Sequence, residues 1–147
     1  MRVLLAIDES AFSAAAAKEV EARLLLPDTE VRVVHVVGNF VPPAASVVDA
    51  AGSLEQVRDD VSDRYQSLVD GVANRLKDFG LRAAGVVLEG SPGKAIVNDA
   101  KEWAADLIVV GAHGLTGLES LLMGNVARYV VDHAPCSVEV VRPRNNI

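Results

Sequence analysis

Only one cysteine, Cys136, stands among the 147 residues, so neither an intrachain disulfide framework nor a zinc ribbon can form. A lone thiol fits a reducing compartment. Clustered cations are lacking too: 14 Lys and Arg are scattered among 20 Asp and Glu, giving a formal net charge of −6. Counterion release needs cations grouped together, and Arg142 with Arg144 are too few, so no nucleic acid is expected as partner. No apolar run approaches the length of a membrane span, so no membrane partner is expected either. Arg2 precedes a run of only five apolar residues, Val3 to Ile7, and Asp8 and Glu9 follow at once. No secretory core is therefore expected, and the expected location is cytoplasmic. Low-complexity tracts and internal repeats are absent, and a chain that is 50% hydrophobic is too apolar for disorder. The sequence also has no G-x-x-x-x-G-K-[ST] loop, no G-x-G-x-x-G after its first apolar run and no serine-hydrolase elbow. A phosphoacceptor receiver would need an acidic pair after the first strand, an Asp ending the third and a Lys ending the fifth. Asp8 and Glu9 meet the first demand, but the later strands end Leu88-Glu89-Gly90 and Val141-Arg142.

What is present is a pattern. Length and composition predict one domain over residues 1–147 with a core large enough to need no staple. Five short runs rich in Val and Ile, Arg2–Ile7, Glu30–Val37, Arg82–Leu88, Asp106–Val110 and Ser137–Val141, alternate with segments of helical period. This is the βα pattern of a doubly wound parallel α/β sheet. VLLAI, VVHVV and LIVV are apolar without alternation, as in strands covered on both faces, whereas SVEVV alternates and is placed at an edge. Ser10 is expected to cap a first helix through Leu25. A second carries Leu54, Val57, Val61, Tyr65, Leu68, Val72, Leu76 and Phe79 at steps of three and four, ended by Gly80. Ser91-Pro92 opens a third with Ile96, Ala100 and Trp103 on one face. The fourth is expected from about Ser120 to His133, turning Leu122, Val126, Tyr129 and Val130 inward. The stretch 38–53, with Gly38, Pro42, Pro43 and Gly52, is read as a mobile flap.

In such sheets ligands bind outside the carboxyl ends of the strands, where the strand order reverses, which directs attention to the loops after the first and fourth strands. Asp8-Glu9-Ser10 follows the first; Gly111-Ala112-His113-Gly114 follows the fourth, and nine residues later comes Gly124-Asn125. Glycines let backbone N–H groups approach an anion, and a helix N-terminus adds its dipole. Gly124 sits inside the helical pattern LLMGNVARYVV, where glycine costs about 1 kcal/mol relative to alanine, so close approach of a ligand or of backbone is the reading. Asn125 adds an amide there, and a helix break at this point would create a fresh N-terminus. Asp8 serves equally as a helix-capping residue or a ligand contact. His113 is either a loop histidine bonded to backbone or a phosphate donor. His35 is read as a satisfied core histidine, His133 as bonded to helix-end carbonyls, and Cys136 as a small buried hydrophobe.

These residues together resemble the universal stress protein family. The resemblance runs the whole chain: the opening VLLAIDES, the VVHVV strand, EGSPGKAIVNDA, ADLIVVGAHGLTGLESLLMGNVARYVV and the closing HAPCSVEVV. Most specific is the spacing Gly, two residues, Gly, nine residues, Gly, which resembles that of the nucleotide-binding members. The resemblance implies a five-stranded parallel sheet ordered 3-2-1-4-5, two helices on each face, and ATP as ligand. It assigns Ala6, Ile7 and Asp8 to the nucleotide near the first strand, and the backbone at Val36 to the adenine edge. Val110 and Gly111 would line the ribose, with Gly114 at the phosphate turn. Gly124, Asn125 and Val126 would offer N–H groups to the phosphates, near His113.

Asn125 replaces the family's Ser or Thr. Glu9 stands where small residues are common, and its charge near a triphosphate is unfavourable unless Mg²⁺ or an outward orientation relieves it. Between Gly111 and Val130 the one fixed cation is Arg128, which points to backbone amides plus a metal, with Asp8 as the candidate metal contact. An edge strand from Ser137 to Val141 implies a homodimer by antiparallel pairing. The function implied is an ATP-binding stress-response module. The alternatives are a slow ATP hydrolase or phosphoryl-transfer enzyme using Asp8 or Glu9 as base, and a ligand-free dimeric scaffold of the same fold.

Overall fold

Val3, Leu4 and Leu5 are three consecutive residues with no exposure at all, which a strand permits only when both faces of its sheet are covered. The structure, a computed structural model, describes residues 1–23, 26–38, 51–114 and 123–144. Along the chain run β1 (Arg2–Ala6), α1 (Ala11–Arg23), β2 (Glu30–Val37), α2 (Ala51–Asp78) and β3 (Arg82–Glu89). There follow α3 (Pro92–Glu102), β4 (Leu107–Gly111), α4 (Asn125–His133) and β5 (Ser137–Val141). The sheet has the order β3-β2-β1-β4-β5 and every pairing is parallel, with Val3 opposite both Val31 and Leu107. The expected α/β fold and strand order are therefore observed, and SVEVV is an edge strand.

Alternate residues of the central strands feed two separate cores. Val3, Leu5, Val31, Val33 and Val109 pack under α1 and α2 with Ala16, Val20, Val69 and Leu76. Leu4, Val34, Ile108 and Val110 pack under α3 and α4 with Ile96, Ala100, Ala127 and Val130. Full burial of each such aliphatic side chain contributes about 1.5–3 kcal/mol.

Three sequence expectations need correction. The seam of α2 is Val69, Ala73 and Leu76, while Val57 and Phe79 are 41% and 50% exposed. A helix of 28 residues is about 42 Å long at 1.5 Å per residue. The eight-residue β3 it covers spans about 26 Å, so the helix outruns the strand, and it does so at its amino end, where Val57 is exposed while Leu76 near the carboxyl end is buried. This helix also begins at Ala51, ahead of the expected start near Leu54; residues 39–50 of the expected flap lie outside the described residues, as do 24–25 at the end of the first helix. Third, the last helix starts at Asn125, not near Ser120, and its Val126 is 41% exposed while Ala127 and Val130 turn inward; Leu122 lies outside the described residues.

Because β1 and β4 are neighbours whose following helices lie on opposite faces, their carboxyl ends diverge and leave a crevice.

Candidate functional site

The first wall of that crevice is the exit from β1. The Ile7 N–H donates to the Val34 carbonyl (2.8 Å), and the Ile7 carbonyl accepts from His35 Nδ1 (2.8 Å). A carbonyl can only accept, so Nδ1 carries the proton of this bond. The His35 ring stacks on Tyr65 of α2 at 4.1 Å. His35 is thus satisfied, as expected, but half-buried and on the wall of the crevice.

Asp8 does not cap α1 itself but holds the residue that does. The Asp8 N–H donates to Ser13 Oγ (2.8 Å), and Asp8 Oδ1 accepts from the Ser10 N–H (2.8 Å). Ser10 Oγ in turn accepts from the Ser13 N–H (3.2 Å), so Ser10 caps α1, which leaves the Asp8 carboxylate at the crevice. Glu9 turns away from the wall and pairs with Arg64 of α2 at 2.7 Å. That bond and the charge of Glu9 raise the Arg64 guanidinium above its ordinary range. The outward orientation that would spare an anionic ligand is the one present.

The second wall is the exit from β4. The Ala112 N–H donates to the Val141 carbonyl (2.8 Å), and the Ala112 carbonyl accepts from the Gly124 N–H (2.6 Å). Gly124 is the N-cap of α4 with extended backbone and no capping side chain, so the cap residue offers no acceptor to the N–H groups of the first turn. This break is the one that the glycine within LLMGNVARYVV allowed for, and it is set by packing. A Cβ on Gly124 would stand 3.2 Å from the Ala112 carbonyl oxygen and 3.5 Å from His113 Nδ1. A Cβ on Gly114 would stand 2.9 Å from Asp8 Oδ2. Side chains at these two positions would fill the cradle. His113 is 5% exposed, lies edge-on to Phe12 (5.0 Å), and neither ring nitrogen has a hydrogen-bond partner among the described residues. It therefore does not bond backbone in the way expected of a loop histidine.

The crevice is a cavity of about 420 Å³, in the range of small-molecule sites. Ala6, Ile7, Asp8, Val36, Val110, Gly111, His113, Gly114, Gly124, Asn125 and Val126 all border it. Sequence reasoning missed Ser13, His35, Pro92 and Ile96 among its walls; Pro92 and Ile96 arrive from α3 by tertiary packing and carry no local signature. No Lys or Arg lines it among the described residues, and Asp8 is its one carboxylate. Among the described residues no group of three or more His, Cys, Asp or Glu could hold a metal ion.

The remaining candidates lie elsewhere. His133 Nδ1 bonds the Tyr129 carbonyl (2.9 Å), as expected at a helix end. Cys136 is half-buried against the α3/α4 core at the start of β5, and burial followed by the charge of Asp106 pushes its thiol up, away from nucleophilic use.

Comparison with known proteins places the chain among related folds. A sequence model described as the universal stress protein family matches residues 1–142. Universal stress protein MJ0531 of Methanocaldococcus jannaschii is 34% identical over 141 residues, covering 96% of this chain and 81% of that protein. The solved structure of hypothetical protein MJ0577 superposes with a TM-score of 0.84 at 24% identity, covering 99% and 97% of the two chains. Three more distant structures of the same fold were solved with nucleotides. An Arabidopsis thaliana member holds AMP (TM-score 0.69, 18% identity, 99% and 94% covered). An Archaeoglobus fulgidus member holds dAMP (0.66, 20%, 97% and 98%), and a further member holds cAMP (0.66, 21%, 97% and 96%).

Proposed function

The chain belongs to the universal stress protein family, and from that membership we propose that it is an adenine-nucleotide-binding regulatory protein acting in a cytoplasmic stress response, with ATP and Mg²⁺ as its ligand. The observation that carries this reading is convergence: the eleven residues marked from the sequence border one cavity at the reversal of strand order. The uncapped first turn of α4 and the glycine cradle suit phosphate oxygens, and the apolar walls from Val36, Val110 and Ile96 suit a base and ribose. Relatives of the same fold solved with AMP, dAMP and cAMP support adenine as the base.

Among the described residues Asp8 is the carboxylate that would hold Mg²⁺, since small hard cations are commonly held by one carboxylate plus substrate oxygens. The bound ion would neutralise phosphate charge. Glu9, the other base candidate, is engaged by Arg64, which favours binding over turnover. No helix among the described residues is long and apolar enough to cross a membrane. The edge position of Ser137–Val141 supports a homodimer formed by antiparallel pairing of β5 with a second copy.

Purification without added nucleotide, heat denaturation and mass spectrometry of the released small molecules test the ligand, followed by calorimetric titration of ATP with Mg²⁺. Copurified or saturably titrated ATP is the expected result. No nucleotide by either route leaves a scaffold of this fold. Light scattering tests the dimer.

A further inference from the structure

β1 ends at Ala6, and its ladder with β2 closes where the Ile7 N–H donates to the Val34 carbonyl. The peptide between Ile7 and Asp8 comes next along the chain, and both of its polar groups are taken by side chains. His35 Nδ1 donates to the Ile7 carbonyl and the Asp8 N–H donates to Ser13 Oγ, each at 2.8 Å. In a trans peptide the carbonyl and the N–H point in opposite directions, so the two side chains grip this plane from opposite sides. Rotating the plane breaks both bonds. Ile7 and Ser13 are 7% and 4% exposed on the cavity wall, so a bond broken there is poorly replaced by water. The orientation of the plane sets the direction in which the Asp8 side chain leaves the backbone.

Ser13 also acts on the carboxylate. Its own N–H donates to Ser10 Oγ (3.2 Å) and the Ser10 N–H donates to Asp8 Oδ1 (2.8 Å), which closes a ring through Asp8, Ser10 and Ser13. Asp8 Oδ2 then stands beside the Gly114 turn, 2.9 Å from the place a Cβ would take there. We infer that Ser13 is a positioning residue: its hydroxyl fixes the Ile7–Asp8 peptide, so that the Asp8 carboxylate is aimed at Mg²⁺ and the nucleotide phosphates before they arrive. The inference rests on the nucleotide reading of the cavity and on Asp8 as its metal contact.

Ser13→Ala removes Oγ but keeps the N–H that Ser10 Oγ accepts, so the cap of α1 survives the change. In calorimetric titration with ATP and Mg²⁺ the variant is expected to lose about five- to tenfold in affinity, the worth of one buried hydrogen bond. Adenosine, which carries no phosphate, is expected to lose less than about twofold. In an Asp8→Asn background the same Ser13→Ala change is expected to cost ATP less than about twofold, because a residue that acts through the carboxylate then has nothing to aim. A merely structural role would weaken adenosine as well and would persist without the carboxylate. The unmutated chain supplies a readout that needs no variant to fold: its Asp8 amide proton is expected to resist solvent exchange before ligand is added. Unchanged ATP affinity in Ser13→Ala, an equal loss for adenosine or in the Asp8→Asn background, or a freely exchanging Asp8 amide would each overturn the inference and leave the nucleotide reading standing. Failure of ATP and adenosine alike to bind the wild type overturns both.

Discussion

The two ends of the sheet treat polar groups in opposite ways. At the amino end, charges are spent on one another: the Arg2 N–H donates to Asp106 (2.7 Å), Arg2 Nη1 to the Trp103 carbonyl (2.9 Å), and Arg32 pairs with Asp99 at 2.9 Å. Both guanidinium groups lie 5.7 Å from the Trp103 ring. At the carboxyl end, among the described residues, Gly124 offers α4 no capping side chain, His113 is unpaired, and the wall holds one carboxylate and no Lys or Arg. The amino end is braced by ion pairs even though Thr29 Oγ1, Arg32 Nε and Asp99 Oδ2 stay buried without a hydrogen-bond partner among the described residues, while the carboxyl end opens onto a cavity. On the proposed function, stability and binding are thus separated along the strand direction.

That separation can be broken most forcefully at Gly124. Gly124→Asp puts a Cβ 3.2 Å from the Ala112 carbonyl and a negative charge at the start of α4; ATP affinity is expected to fall by at least about 100-fold, about 2.7 kcal/mol, in calorimetric titration. At the other end, Asp99→Ala strands the partly buried Arg32 and is expected to cost about 2–3 kcal/mol in urea unfolding while nucleotide affinity stays within twofold. A comparable loss of affinity would sink the division between the ends.

Asp99 also sharpens the comparison through pH. Burial raises its carboxyl above the ordinary range, against the pull of Arg32. The native state therefore binds this proton more tightly than the unfolded one, and the contribution of the group to stability falls as pH rises through the carboxylate range. Unfolding curves at several pH values should show wild type gaining on Asp99→Asn as pH is lowered through that range.

Smaller effects are expected where the ends are tuned. His35→Leu removes the bond to the Ile7 carbonyl and should weaken nucleotide binding about tenfold, while His35→Asn, whose amide nitrogen can stand near Nδ1, should recover part of the loss. Arg64→Ala releases Glu9 toward the site and should cost about two- to threefold in ATP affinity at low salt, recovered when Glu9→Gln is added.

Much of this was legible in the sequence because central strands must be apolar on both faces: VLLAI and LIVV lie within one residue of β1 and β4, and the alternation of SVEVV marked the edge. The candidate site was legible where glycine spacing constrains backbone, at Gly111, Gly114 and Gly124. Long-range partners were not. Helical period runs unbroken through LLMGNVARYVV, so the start of α4 could not be located from period; it is set by the bond from Gly124 to Ala112. The direction of Glu9 depends on Arg64, 55 positions away, and the seam of α2 depends on which part of a long helix meets a short sheet.

The Ala112 backbone bears on how this fold can change over time. Its carbonyl accepts from the Gly124 N–H and its own N–H donates to the Val141 carbonyl, so the start of α4 is tied through main chain to the ends of β4 and β5. Main-chain bonds survive side-chain replacement. Substitutions at position 112 that fit the space can therefore accumulate while the glycine, and with it the first turn of α4, stays in place.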